Sequence, residues 1–201
     1  MQKNRPGSIV ILHVPPLLEK GIEMGRNSRK QEILDAASNI VSEQGIFNLT
    51  LDAVAKQAGI SKGGLLYHYP SKEALVKGMV DHLTNNYKEK IVHNTEIDPT
   101  DKGKWTRSYV NVTFNQTYTN KDMNSGLLAA KAVNAELLDP IRHLYSEWQE
   151  EIENDGLDPV KATIIRLATD GIWLAELFDI HHIEKEKKET IYKMLMDWAN
   201  E

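Results

Sequence analysis

The residues with the clearest chemistry lie in the stretch SKGGLLYH, which combines an ammonium group, several hydrogen-bonding groups and two adjacent glycines. They are Ser61, Lys62, Gly63, Gly64, Tyr67 and His68. Each glycine costs roughly 1 kcal/mol relative to alanine in a helix interior, so the set is poor for helix stability. It is well suited to bringing the positive end of a helix close to a phosphate group. A glycine pair in a frayed first turn is the plainer alternative.

Two short helical patterns, separated by a tight break, position these residues. The first opens with Thr50 as an N-cap, and its apolar stripe is Leu51, Val54, Ala55 and Ala58. Gly59 follows the stripe and can adopt the left-handed conformation that ends a helix. The second pattern begins after Ser61, and the side chains predicted to face inward are Leu65, Leu66 and Tyr69. This arrangement is typical of proteins that place a helix in a DNA groove.

A preceding helix, predicted from Ser28 to Gly45, would complete a three-helix unit whose small core Phe47 is expected to fill. Basic residues at its start, Arg29 among them, oppose the helix dipole. They can form an arm over a DNA backbone, although a solvated arm is equally compatible with the sequence. Lys72 begins the next helix and is a natural phosphate contact, with a solvated lysine as the alternative.

The segment from Thr50 to Leu75 contains AVAKQAGISKGGLLYHYPSKEAL, which resembles the DNA-binding signature of the TetR family of bacterial transcriptional repressors. The resemblance implies an all-α protein, with an N-terminal helix-turn-helix domain joined to a larger helical domain for ligand binding and dimerisation. It also implies a homodimer that binds a palindromic operator in double-stranded DNA and is released by a small-molecule effector. The predicted DNA-binding residues are Arg29, Thr50, Ser61, Lys62, Gly63, Gly64, Tyr67, His68 and Lys72.

We predict a DNA-binding domain in residues 25–72 and an effector and dimerisation domain in residues 73–201. The charge supports this division, because residues 24–72 contain six Lys and Arg against four Asp and Glu, whereas residues 73–201 contain fifteen against twenty-three. Residues 1–24 are expected to be a disordered extension, with Met24 as the hypothesised natural start in place of Met1. A long helix from Ser71 to near Asn94 would join the domains and carry ligand-induced changes to the DNA-binding helices.

Amide side chains interrupt the apolar, aromatic faces of a predicted helix from Lys104 to Tyr118. Either the amides face water, or aromatic walls and amides together surround a small molecule. The predicted ligand-binding residues are Trp105, Tyr109, Phe114, Trp148, Asp170 and Trp173. A buried Asp170 could receive a cationic or amide-bearing ligand. Pairing of Asp170 with Arg166, one helical turn earlier, is the structural alternative.

The segment after Asp158-Pro159 has two apolar stripes and must therefore be covered on two sides. One stripe repeats at alternating steps of four and three, as in a helical dimer seam. Together with the last helix it predicts a four-helix interface with two-fold symmetry. The predicted interface residues are Val160, Ile164, Leu167, Gly171, Leu174, Phe178, Ile191, Leu195 and Trp198.

Other functional classes have little support in the sequence. The chain has no cysteine, no run of transmembrane length and none of the common nucleotide, hydrolase or zinc-protease motifs. We therefore expect a cytoplasmic protein that is not an enzyme and that uses no membrane, cofactor or metal. His181-His182 is interpreted as a polar loop and not as a metal site. The alternatives are a helical small-molecule carrier with a nonfunctional DNA-binding domain, or an activator.

Overall fold

The computed structural model describes residues 16–116, 121–178 and 180–201, with side chains from residue 28 onward except residues 116–124 and 179. These residues form α-helices and short 3₁₀ helices without a strand, as the all-α prediction requires. The helices are α1 (Pro16–Gln44), α2 (Leu51–Gln57), α3 (Lys62–His68), α4 (Lys72–Ile97), α5 (Lys104–Gln116), α6 (Lys121–Val133), α7 (Asp139–Glu153), α8 (Pro159–Leu177) and α9 (Lys185–Trp198). None of the described helices is long and apolar enough to cross a membrane.

Side-chain caps set the starts of the helices that matter for function. The hydroxyls of Thr50, Ser61 and Ser71 accept hydrogen bonds from backbone amides in the first turns of α2, α3 and α4. Each such cap typically contributes about 1 kcal/mol. Between α2 and α3, Gly59 has a φ of 64°, and the Ile60 amide donates to the Ala55 carbonyl at 3.0 Å. The capping and the glycine turn predicted from the sequence are therefore confirmed.

The N-terminal part differs from the prediction in two respects. Helix α1 begins at Pro16, so the described part of the predicted disordered extension, residues 16–24, is helical. Phe47 lies in a 3₁₀ helix, Ile46–Asn48, and is 95% exposed, so the prediction that it fills the small core is wrong. Leu49 is buried in its place. The 3₁₀ turn rotates the chain between these two positions, which a helical periodicity cannot show.

The core of the DNA-binding unit crosses the predicted boundary at residue 72. Alongside α1, α2 and α3 it includes side chains of α4 and α6, which are Leu75, Val76, Met79, Val80, Ala129 and Ala130. Tyr69 packs against Gly78 of α4, where even a Cβ atom would come within 2.5 Å of the ring. The α6 residues are 50 or more positions away in the chain, so no local pattern reveals their part in this core.

Helix α6 ends at Val133, and a 3₁₀ helix, Ala135–Leu138, follows it. Asn134 separates the two, because its side-chain oxygen accepts from the Glu136 amide and its amide donates to Glu73. The predicted end of α5 at Tyr118 lies outside the described residues.

A second core, in the larger domain, joins α4, α5, α7, α8 and α9. It is rich in aromatic residues, and the rings of Tyr87, Tyr109, Tyr145 and Trp148 contact one another with centroids 4.9–6.3 Å apart. Such pairs contribute roughly 0.5–1.5 kcal/mol each beyond the area they bury. Of these four rings, Tyr145 also lines a ligand-sized cavity of the larger domain.

Candidate DNA-binding surface and effector pocket

Helix α3 packs against the core of the protein through one face only. Leu65 is fully buried and Tyr69 nearly so, and these residues, four apart, occupy the side that faces the core. Leu66 lies about 100° around the helix from Leu65 and is exposed, so the prediction that it faces inward is wrong. The remaining exposed residues are Lys62, Gly63, Gly64 and Tyr67. His68 is half-buried beside the Tyr67 ring, at a centroid distance of 5.1 Å.

The two glycines of α3 are not required by packing within the protomer. Neither has a positive φ. A Cβ atom at Gly63 would meet only the Ser61 hydroxyl at 4.0 Å, and one at Gly64 would meet the same flexible group at 3.3 Å. Alanine would be the better helix former at both positions. The absent side chains leave a bare, exposed strip at the start of α3, which another molecule can approach closely.

Lys62 is engaged within the protein. Its Nζ lies 2.9 Å from an Asp52 carboxylate oxygen, and this exposed ion pair connects α3 to the start of α2. No local pattern of the sequence reveals the part of Asp52, because Asp52 lies ten residues from Lys62 and on another helix. A carboxylate on this surface repels phosphate, yet it can also accept a hydrogen bond from the amino group of cytosine. The Asp52–Lys62 pair therefore has the chemistry of a specificity element.

Two of the other predicted contacts lie at helix starts, whereas Arg29 lies in the middle of α1 and not at its start as predicted. Thr50 caps α2 and Lys72 is the first residue of α4. Lys72 has no ion-pair partner among the described residues, so its ammonium is available to an anion. Arg29 instead pairs with Glu32 at 2.5 Å on the exposed side of α1. Lys56, in the last turn of α2, also has no ion-pair partner in the part of the chain that the structure describes, and the sequence motif did not single it out.

A cavity of about 520 Å³ lies between α6, α7 and α8 in the larger domain. It is lined by Leu127, Leu128, Lys131, Leu138, Ile141, Arg142, Tyr145, Asp170, Trp173, Leu174, Leu177 and Phe178. Its volume falls in the usual range for small-molecule sites. Tyr145 and Trp173 also line a much smaller cavity of about 20 Å³, which Tyr109 and Trp148 border. Four of the predicted ligand-binding residues therefore line these two neighbouring cavities, and they are Tyr109, Trp148, Asp170 and Trp173.

Asp170 is the buried charge of this region. One carboxylate oxygen accepts hydrogen bonds from the hydroxyls of Tyr109 and Tyr145, and the other lies 3.1 Å from Nη1 of Arg166. Burial raises the pKa of the Asp170 carboxyl, against the opposing effect of the Tyr109 hydrogen bond and the Arg166 charge. Burial likewise raises the pKa of Tyr109 and Tyr145, which keeps both phenols as donors. The predicted pairing of Asp170 with Arg166 is confirmed.

Two of the predicted ligand residues lie elsewhere. Trp105 packs on the aromatic core at the start of α5, and its backbone amide donates to Asp155. Phe114 contacts Tyr192 of α9 and lines a separate cavity of about 200 Å³. A helix of thirteen residues turns its aromatic side chains in several directions, so both fall outside the large cavity. Sequence reasoning in turn missed Tyr145 and the leucines of α6, which no polar or periodic feature distinguishes from ordinary core.

Helix α8 leaves one apolar stripe uncovered. The residues of the predicted seam are all exposed, and they are Val160, Ile164, Leu167, Gly171, Leu174 and Phe178. The neighbouring stripe, which includes Ile165 and Ile172, is buried in the protomer. Exposed apolar stripes of this length mark contact surfaces. Leu174 and Phe178 also line the large cavity, so the cavity opens beside this stripe.

The contribution of α9 to that surface differs from the prediction. Leu195 is 3% exposed and packs on the core of its own protomer, so the prediction that it contacts a partner is wrong, while Ile191 is only partly buried against that core. The exposed apolar side chains of α9 are Met194 and the predicted Trp198. The apolar periodicity of α9 shows that an apolar face exists. Which side of α9 is buried in its own protomer depends on how α9 packs against α5.

Two family models match the chain. Residues 33–79 match the model of bacterial regulatory proteins of the tetR family. Residues 103–200 match the model of a tetracyclin repressor-like C-terminal domain. The first range contains α2 and α3, and the second contains the part of the aromatic core outside α4 and the exposed stripe of α8.

The relatives found among curated proteins are named as regulators. The chain is 33% identical over 89 residues to the HTH-type transcriptional repressor KstR2 of Rhodococcus jostii, covering 42% of this chain and 44% of that protein. It is 26% identical over 124 residues to the HTH-type transcriptional regulator EthR of Mycobacterium tuberculosis, covering 61% and 57%. The chain thus spans about half the length of these curated relatives.

Solved structures share the fold at low sequence identity. A transcriptional regulator from Saccharomonospora viridis, solved in complex with choline, aligns with a TM-score of 0.68 over 87% of this chain and 96% of that chain, at 17% identity. The match covers both the DNA-binding unit and the larger domain in one arrangement. This likeness shows the fold. The two family models, which match residues 33–79 and 103–200, show that this chain belongs to the TetR family of bacterial regulatory proteins.

Proposed function

We propose that this protein is a ligand-responsive transcriptional regulator that acts in the cytoplasm, binds a palindromic operator as a homodimer and represses transcription until a small molecule releases it. The observation that carries the proposal is the start of α3, where Gly63 and Gly64 lower helix stability without relieving any contact in the protomer. This bare strip allows the helix to enter the major groove, with its first amides near a phosphate.

The dimer follows from the stripe on α8. Two copies that join these stripes around a two-fold axis place two α3 helices on one side of the assembly. Two α3 helices spaced by one turn of DNA, about 34–36 Å, or by a multiple of it would bind the two halves of a palindrome. A single seven-residue helix contacts too few base pairs to select a site in a genome.

Helix α6 can carry a ligand-induced change from the cavity to the DNA-binding unit. The sequence predicted this role for α4, and α6 would act in addition to it. Leu127 and Leu128 line the cavity, whereas Ala129 and Ala130 are buried in the N-terminal core. The Ser125 hydroxyl donates to the Ser38 carbonyl of α1 at 3.1 Å. A ligand that moves α6 therefore moves α1, and couplings of this kind are typically about 1–3 kcal/mol.

Selection of fragments from the source genome on the purified full-length dimer tests the proposal. A repressor selects fragments with an inverted repeat, protects that repeat in footprinting and loses affinity steeply with salt. Binding without sequence preference or salt dependence would favour the carrier alternative. Promoter activity with and without the gene separates repression from activation.

Tyr67→Phe and Lys72→Ala are expected to weaken binding to all operator variants alike, because phosphate contacts position the protein without selecting bases. The slope of log affinity against log salt should fall by about 1 for Lys72→Ala. Tyr67 is exposed and Lys72 is only partly buried, so the melting temperature should stay nearly unchanged. Lys90→Ala, an exposed lysine on the distal part of α4, is the matched control and should bind normally. A loss confined to one base pair would assign the residue to base recognition.

Asp52→Asn is expected to raise affinity for nonspecific DNA by about fivefold, since one surface charge near a phosphate contributes about 1 kcal/mol. The change frees Lys62 from its 2.9 Å ion pair and removes a repulsive carboxylate. Discrimination between operator and random DNA should therefore fall. Asp35→Asn makes the same charge change on α1, beside Gln31, and should not alter discrimination. Fluorescence anisotropy over a salt series measures both variants. Equal effects of the two would contradict the role of Asp52 in discrimination between operator and random DNA.

A further inference from the structure

The chemistry of the large cavity restricts what it can hold. Its walls are mainly leucine, isoleucine and aromatic side chains, and its charged lining residues are Lys131, Arg142 and Asp170. A ligand that fills this space must therefore be apolar over most of its length. Its polar end must match whichever of the three charges is still available.

Asp170 is not available. Its carboxylate already receives the hydroxyls of Tyr109 and Tyr145 and the Arg166 guanidinium. The same guanidinium lies over the Tyr145 ring, with its central carbon 5.7 Å from the ring centroid. A cationic ligand would find both the acid and an aromatic face occupied by a cation of the protein itself. The cationic ligand considered in the sequence analysis is therefore disfavoured.

Lys131 is available. It lies in the last turn of α6 and is exposed, and it has neither a hydrogen bond nor an ion pair among the described residues. Arg142, on the first turns of α7, pairs with Asp139 through Nη1 and donates through Nη2 to the Ala135 carbonyl at 3.1 Å. A guanidinium has five N–H groups, so these two bonds leave donors unused. The cavity therefore carries surplus positive charge where α6 and α7 approach each other.

We infer that the effector is an anionic amphiphile, whose apolar chain fills the cavity beside Trp173 and whose acidic head binds Lys131 and Arg142. The inference rests on the proposed function, since it names the ligand of the proposed effector pocket. It also links the ligand to α6, because the turn that carries Lys131 follows directly on Ala129 and Ala130 of the N-terminal core. A free carboxylate and a sulfate or phosphate ester offer the same chemistry.

The experiment titrates the full-length dimer with dodecanoate, dodecyl sulfate, dodecanol and dodecyltrimethylammonium, each below its micelle concentration, and follows tryptophan fluorescence. Dodecanoate or dodecyl sulfate should bind at least about tenfold more tightly than dodecanol, as expected for a charge-assisted hydrogen bond. Shortening dodecanoate to decanoate should weaken binding by about fourfold for each buried CH₂ removed. The stronger of the two anions identifies the head group.

Lys131→Glu should remove the preference for the anions and favour dodecyltrimethylammonium, whereas Lys90→Glu, the same change on a distant exposed lysine, should leave it intact. Equal or tighter binding of dodecanol or dodecyltrimethylammonium by the unaltered protein would overturn the inference. So would an anion preference that Lys131→Glu leaves unchanged. Footprinting reports separately on the proposed function: dodecanoate that binds with the expected preference but does not release the operator refutes regulation and leaves the ligand class standing.

Discussion

Gly171→Arg is expected to convert the protein to a folded monomer and to lower operator affinity by about 100-fold or more, the usual scale of the gain from two linked binding modules. Gly171 lies in the middle of the exposed stripe of α8, and a Cβ atom there would meet nothing within 4 Å in the protomer. The arginine is therefore accepted by the monomer. At a two-fold interface it would place two like charges in an apolar contact.

Light scattering and footprinting measure the two effects. Circular dichroism should show unchanged helix content, because arginine is a better helix former than glycine. Glu150→Arg introduces the same side chain on an exposed position of α7, away from the stripe, and should remain dimeric with normal affinity. If the Gly171→Arg protein stays a dimer, the stripe on α8 is not the contact between protomers.

Gly103→Ala is expected to destabilise the protein by about 3 kcal/mol, from a left-handed backbone position and the loss of a buried hydrogen bond. Gly103 has a φ of 78°, and an added Cβ would collide with the Ala199 carbonyl oxygen and lie 2.9 Å from Nη1 of Arg107. That Nη1 bonds the carbonyls of Lys102 and Ala199 at 2.8 and 2.9 Å, which ties the end of α9 to the start of α5. The substitution should also weaken dimerisation, because α9 carries Trp198.

Gly156→Ala is the matched control for the free-energy cost of placing alanine in a left-handed backbone conformation. Gly156 has a φ of 79°, but a Cβ there would make only ordinary contacts with Lys102, the nearest at 3.4 Å. It should therefore cost only about 1–2 kcal/mol. Urea unfolding at one fixed protomer concentration compares the variants, because the stability of a dimer depends on concentration. Equal costs at the two positions would show that the contact with Ala199 adds nothing.

Much of the DNA-binding unit could be predicted because its signals are local. The caps at Thr50, Ser61 and Ser71 and the turn at Gly59 each depend on a few neighbouring residues, and the structure has all of them. The exposed stripe of α8 could also be predicted, since its period distinguishes two sides of one helix, while its role as the dimer interface stays a prediction. What the period could not show is which partner covers each side, and for α9 the prediction placed Leu195 on the wrong one.

The sequence by itself determined the helices, the bare start of α3 and the family to which they belong, because these depend on spacing within a few turns of the chain. Tertiary structure alone decided that Asp52 reaches Lys62 and that α6 belongs to both the cavity and the N-terminal core. It also decided that Asp170 already has hydrogen-bond partners, whereas Lys131 has none among the described residues. Such relations depend on the packing of side chains from distant segments, and packing leaves no periodic trace in the sequence.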